Sequence, residues 1–166
     1  MIRHLAISII ILSTILVLNG CANKKEPDFI GYIFTKGNNK TVVVGTKDKQ
    51  PPDVIIKKGE SKLEVGTKVE VRYKEDGVSD VFPSNAPVTL SEVKVTNEEK
   101  EMLKHLFEDM YNKNGQDYYP VILGIEEKTN EWVVTLKEYY FKIDGETYND
   151  ATFQISKNGF TITGSN

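Results

Sequence analysis

The chain has few of the residues that redox chemistry and metal binding use. Its 166 residues include one cysteine and two histidines. A single cysteine excludes an internal disulfide framework and any Cys-x-x-Cys metal or redox motif, and two histidines leave little for a zinc site. No Gly-rich phosphate-binding motif and no Gly-x-Ser-x-Gly elbow occurs. The net charge of −3 argues against nucleic-acid binding, which needs a basic face. We therefore expect no metal, cofactor or nucleic-acid partner.

The first 20 residues are predicted to be a targeting signal outside the fold. Arg3 precedes an uncharged apolar run, Leu5–Leu18, which is shorter than the about 20 residues of a spanning helix. The run ends in Leu18-Asn19-Gly20-Cys21, which resembles the bacterial lipoprotein signal. This resemblance implies cleavage between Gly20 and Cys21 and attachment of diacylglycerol to the Cys21 thiol.

Lipidation of Cys21 implies a location for the rest of the chain. Two acyl chains give a stable anchor, so we expect the protein at the outer face of the cytoplasmic membrane, with residues 21–28 as a short tether. The Lys- and Asn-rich composition favours a Gram-positive source. A plain secretory signal with a free thiol and an uncleaved N-terminal helix are the alternatives.

Residues 29–95 show the period of two that is typical of strands. Turn signals at Gly37-Asn38-Asn39 and Asp76-Gly77 interrupt the alternation. The predicted strands cover Phe29–Thr35, Lys40–Gly45, Asp53–Lys57, Val69–Tyr73 and Val88–Val95. Five short strands in a flat sheet would have two unpaired edge strands, and closing the sheet into a barrel removes them. We therefore expect a small five-stranded OB-like barrel. Gly31 predicts a bulge or sharp coil in the first strand.

The same segment resembles a known family. The matching features are Gly31-Tyr32, the spacing Leu63-x-x-Gly66-x-x-Val69-x-Val71, and Pro83 before the last strand. They are similar to the YobA-like lipoproteins of Gram-positive bacteria, over about residues 29–95. The resemblance implies an OB-like barrel on a lipid-anchored protein, and it carries over no catalytic residue.

Residues 96–166 predict a second, α+β domain. Thr96 and Glu99 have the spacing of a capping box, and the apolar residues Met102, Leu103, Leu106, Phe107, Met110 and Tyr111 form one helical stripe. Four strands follow, near residues 121–127, 132–143, 151–155 and 160–163. Asp144-Gly145 and Asn158-Gly159 are hairpin signals between them. The expected fold is therefore mainly β or α+β: a barrel, then one helix on a four-stranded antiparallel meander.

Aromatic residues are concentrated in this second half. Six of the eight tyrosines and the only tryptophan follow residue 110. Neighbouring tyrosines in a strand point to opposite faces, and only one face can pack on the helix. We therefore predict an exposed aromatic binding surface, while cross-strand stabilisation of the sheet is the structural alternative. The candidate residues are Tyr118, Tyr119, Trp132, Tyr139, Tyr140 and Tyr148.

The favoured function is a non-catalytic binding or accessory module for a protein, peptide or cell-wall partner. A small envelope hydrolase is an alternative, since His105 has Glu101 and Asp109 one helical turn away on either side. An inhibitor or immunity-type protein is a further alternative that differs only in its partner. The loop at Asp76–Asp80 has too few oxygen ligands for an EF-hand.

Overall fold

The computed structural model describes residues 26–74, 82–142 and 145–165. These contain two antiparallel sheets and one helix, so the predicted mainly β, α+β class is confirmed. The elements are β1 (Phe29–Gly37), β2 (Lys40–Gly45), β3 (Val54–Lys58), β4 (Lys68–Tyr73), β5 (Val88–Glu92), α1 (Asn97–Asn114), β6 (Tyr118–Glu127), β7 (Glu131–Lys142), β8 (Gly145–Ser156) and β9 (Ile162–Ser165).

The first sheet has the strand order β3-β2-β1-β4-β5. An isolated parallel bridge pairs Ile55 in β3 with Ser84, four residues before β5. Gly31 lies where β1 crosses β2 closely, because a Cβ atom there would collide with the carbonyl oxygen of Val44. The irregularity in the β1–β2 register lies between Ile33 and Thr35, so the predicted bulge is present but falls a few residues after Gly31.

Helix α1 begins where its capping box predicts, and it ends at Gly115. The Thr96 hydroxyl accepts a hydrogen bond from the Glu99 amide at 3.1 Å, and the amide of Gly115 donates to the Tyr111 carbonyl at 2.9 Å. The predicted stripe is the packed face: Met102, Leu103, Leu106, Phe107 and Met110 are buried.

The second sheet is the predicted meander, with the order β6-β7-β8-β9. Its register places Trp132, Val134 and Leu136 of β7 on the face that packs against α1. A register shift in β6 between Ile122 and Gly124 leaves Leu123 as an extra residue. This shift keeps both Ile122 and Ile125 on the helix-facing side, since each pairs with a helix-facing residue of β7.

The hydrophobic core crosses the predicted boundary at residues 95–96. One buried cluster lies inside the first sheet and includes Ile33, Val43 and Val71. The larger cluster joins Tyr32 and Phe34 of β1 to α1 and to the meander. The Phe34 ring meets the Phe107 ring edge-on, with their centroids 5.4 Å apart. The two predicted domains are therefore two sheets that share one core through α1.

Candidate functional site

The predicted aromatic binding surface is not present. Tyr118, Tyr119, Trp132 and Tyr139 are all buried, and Tyr140 is half-buried. Only Tyr148 is exposed, at 52%. The prediction that these six residues form one exposed surface is therefore wrong.

The tyrosines are buried because both faces of the meander are covered. On the helix-facing side the Tyr118 ring lies 6.1 Å from that of Phe34. On the opposite side, residues from the N-terminal half of the chain cover the sheet. The Tyr139 hydroxyl donates to the Lys49 carbonyl at 3.3 Å, and the rings of Phe82 and Tyr119 lie 5.8 Å apart. The sequence prediction left this second face open to solvent.

Tyr148 belongs to a small polar cluster at the margin of this covered face. The Lys137 ammonium lies 5.2 Å from the centroid of the Tyr148 ring and 2.6 Å from a carboxylate oxygen of Asp48. The Asp48 hydrogen bond raises the pKa of Lys137. This cluster fastens the loop after β2 to β7, and the ring of Tyr148 is part of that attachment.

His105 lies on the outer side of α1, where it packs against an aromatic ring. Its imidazole stacks on Phe160, with centroids 4.8 Å apart and an interplanar angle of 21°. The Asp109 carboxylate is engaged by Lys113 at 2.7 Å. Because the neighbouring carboxylate is held by a lysine, the arrangement gives no support to a histidine-based hydrolase.

A groove of about 500 Å³ lies between β1, the start of α1 and β6. One wall is Ile30, which is 37% exposed on the outside of the first sheet. The opposite wall is the bulged part of β6 with Trp132 beside it. The groove residues are Ile30, Tyr32, Thr46, Lys68, Thr96, Glu99, Ile122, Leu123, Gly124, Ile125, Glu127 and Trp132.

Three side chains place polar groups at the helix end of this groove. The Tyr32 hydroxyl donates to Glu99 Oε1 at 3.2 Å, and the Lys68 ammonium lies 5.4 Å from the Tyr32 ring centroid. Burial, and then the charge of Glu99, raises the pKa of Tyr32 far above its ordinary value. Tyr32 therefore stays a neutral donor, and the groove carries one charge of each sign at this end.

An ion pair borders the groove at Glu127 and Trp132. The Lys157 ammonium contacts Glu127 at 2.6 Å and lies 5.3 Å from the centroid of the Trp132 ring. These contacts fix the indole as a wall. Between these polar groups the groove is lined by the apolar side chains of Ile30, Ile122, Leu123 and Ile125, together with Thr46 and Gly124.

Sequence reasoning missed this groove, although several of its parts carry a local signal. The Gly31-Tyr32 pair and the Thr96–Glu99 box are both visible in the sequence. These two features come together only because α1 docks on β1. No local sequence pattern predicts that packing. The extra residue at Leu123, which shapes the groove wall, has no such signal either.

Cys21, Gly20 and the Asp76–Asp80 loop lie outside the described residues. Within the described part, no group of three His, Cys, Asp or Glu side chains is arranged to hold a metal ion. No helix in residues 26–74, 82–142 and 145–165 is long and apolar enough to cross a membrane. No family model, curated protein or solved structure matches the chain.

Proposed function

We propose that the protein is a lipid-anchored, extracytoplasmic, non-catalytic module that binds an extended peptide segment in the groove beside β6. The Leu18–Cys21 motif supports the anchor, with diacylglyceryl-Cys21 as the membrane attachment. The strand order β3-β2-β1-β4-β5 with the parallel bridge between Ile55 and Ser84 supports an OB-like barrel as the scaffold.

The position of β6 carries the peptide proposal. It is the edge strand of its sheet, and its outer side pairs with no other strand in the described part of the chain. A Cβ atom added at Gly124 would meet nothing within 4 Å, so the face of β6 on which it would lie is open at this residue. An edge strand next to an apolar groove can accept an added strand, with main-chain hydrogen bonds giving affinity and side-chain pockets giving specificity.

The groove also limits what can bind. Residues 122–127 of β6 offer roughly 20 Å of edge, enough for about six extended residues. Lys68 and Glu99 balance each other in charge at one end, and Lys157 neutralises Glu127 at the other. We therefore expect an uncharged ligand segment with apolar side chains. The inhibitor and wall-glycan alternatives have no specific contact in their favour.

A peptide-display selection against the purified chain tests the proposal. The described residues contain two exposed large hydrophobic side chains, Ile30 in the groove and Tyr148 outside it. This allows a matched pair of variants. Ile30→Ser should weaken selected peptides at least tenfold, and Tyr148→Ser should leave their affinity unchanged. Bound peptide should also slow hydrogen exchange of the amides in residues 123–127.

The opposite pattern would refute this assignment. Loss of binding in Tyr148→Ser but not in Ile30→Ser would move the site to the Lys137 cluster. Selection of no peptide, or binding without protection of β6, would remove the strand-addition mechanism.

A further inference from the structure

A second cavity lies at the end of the β1–β2 hairpin and shares no described residue with the groove at β6. It measures about 370 Å³ and is bordered by β1, β2 and β3 on one side and by the segment that joins α1 to β6 on the other. The half-buried side chains of Val42, Ile56 and Tyr111 give it an apolar wall. A cavity of this volume is within the range that small-molecule ligands occupy.

Two lysines face each other at one end of this cavity. In the register of β2 and β3, Val42 pairs with Ile56 and Lys40 pairs with Lys58. Side chains two residues apart on a strand lie on the same face of the sheet. Because Val42 and Ile56 line the cavity, the exposed side chains of Lys40 and Lys58 project from the same face, one row further along.

This lysine pair has no countercharge within the described part of the chain. Like charges that face each other across two strands are destabilising, yet neither ammonium forms an ion pair with a described carboxylate. The described lining of the cavity includes one carboxylate, Asp117, in the segment before β6. It lies near Tyr119, whose pKa is raised by burial and then by the charge of Asp117. The end of the cavity at Lys40 and Lys58 is therefore positive and accessible to an anion.

Hydrogen bonds hold the ends of the two lysine-bearing strands in place. The Gly59 amide donates to the Asn39 carbonyl at 2.8 Å. The Thr41 hydroxyl donates to the Gly59 carbonyl at 3.1 Å and accepts a hydrogen bond from the Ser61 amide at 2.8 Å. The backbone that carries both lysines is thus fixed before a ligand arrives, which lowers the entropy cost of gathering two ammonium groups around one anion.

We propose that this cavity binds a phosphate monoester, with the phosphate between the ammonium groups of Lys40 and Lys58 and the organic part of the ligand over Val42 and Ile56. A phosphate monoester carries a charge of about −1.5 to −2 at pH 7 and three acceptor oxygens, which matches two ammonium groups. The side-chain amide of Gln116, which also lines the cavity, can donate to one of these oxygens. A carboxylate brings a single charge, so the site prefers a phosphate monoester to a carboxylate.

An NMR titration of the purified full-length chain in detergent tests this site, with the backbone amide signals of Lys40 and Lys58 and the ring signals of Tyr111 as reporters. The probe is phenyl phosphate, and benzoate is the comparison ligand with the same ring and a single negative charge. We expect a saturable shift with phenyl phosphate and about tenfold weaker binding of benzoate. Glycerol phosphate distinguishes two sources of the same chemistry. Affinity equal to that of phenyl phosphate indicates the phosphate of a lipid headgroup, and about tenfold weaker affinity indicates a soluble ester with an apolar body.

Matched lysine variants separate the pair from general charge effects. Lys40→Gln and Lys58→Gln should each lower the affinity for phenyl phosphate about tenfold, while Lys74→Gln, just after β4 at the other end of the first sheet, should leave it unchanged. All three lysines are exposed, so we expect the variants to fold. Asp117→Asn removes the carboxylate from the cavity and should tighten binding about threefold. Unsaturable shifts, equal affinity for benzoate, an equal loss in Lys74→Gln, or unchanged affinity in both Lys40→Gln and Lys58→Gln would overturn the proposal.

Discussion

Gly66 is the point where the loop before β4 touches the backbone of α1. A Cβ atom at this position would lie 2.5 Å from the carbonyl oxygen of Lys100 and 2.9 Å from the amide nitrogen of Lys104. The φ angle of Gly66 is +82°, and its amide donates to the Ile33 carbonyl at 2.8 Å. The substitution Gly66→Ala therefore adds one methyl group at the contact on which the docking of α1 depends.

Gly115 provides a matched control for the size of the effect. It has the same φ of +82°, and an added Cβ would meet nothing within 4 Å. Alanine at such a positive φ costs about 1–3 kcal/mol, and both substitutions should incur this strain. Overpacking costs about a further 1–3 kcal/mol, and only Gly66→Ala should incur it, because backbone atoms cannot swing aside.

Urea denaturation of the two variants and the parent measures the difference directly. We expect Gly66→Ala to lower the free energy of unfolding by about 2–6 kcal/mol and Gly115→Ala by about 1–3 kcal/mol. At this chain length each kcal/mol lowers Tm by about 2–4 °C. Equal destabilisation by the two substitutions would show that α1 does not rest on Gly66.

Three further predictions concern buried phenols and the anchor. Tyr118→Phe removes the hydrogen-bond donor to Glu138 and should lower the free energy of unfolding, measured by urea denaturation, by about 1–3 kcal/mol. The control Tyr148→Phe should change it by less than about 0.5 kcal/mol. Equal effects of the two substitutions would contradict the hydrogen bond. Burial raises the pKa of Tyr32, Tyr118 and Tyr119, so stability is fully present below about pH 10 and is lost as pH rises further. Tyrosinate absorbance and loss of circular dichroism should then appear together, and ionisation without unfolding would refute this. Cys21→Ser should move the protein from the membrane fraction to the soluble fraction, and retention on the membrane would disprove thioether anchoring.

Local patterns predicted most of the secondary structure. Alternation located the strands of both sheets, and the stripe from Met102 to Met110 identified the packed face of α1. Each of these features depends on residues within one element or one turn. The bulge in β1 was expected from Gly31, but it lies after Ile33, since the glycine serves the close crossing of β1 and β2.

The candidate site depended on contacts between distant segments, and here sequence reasoning failed. Burial of Tyr139 requires Lys49, and burial of Tyr119 involves Phe82. Neither pair is related by strand or helix period, so the second face of the meander was predicted to be exposed. The groove likewise forms only when α1 is docked, since Thr96 and Glu99 line it.

The cluster shared across residues 95–96 has a consequence for synthesis. The N-terminal strands leave the ribosome first, but the outward rings of Tyr32 and Phe34 are covered only when α1 and β6 arrive. Until α1 and β6 have emerged, the five-stranded sheet exposes these aromatic rings to chaperones and proteases. A gene fragment that stops at the end of β5 should, for the same reason, yield an aggregating product.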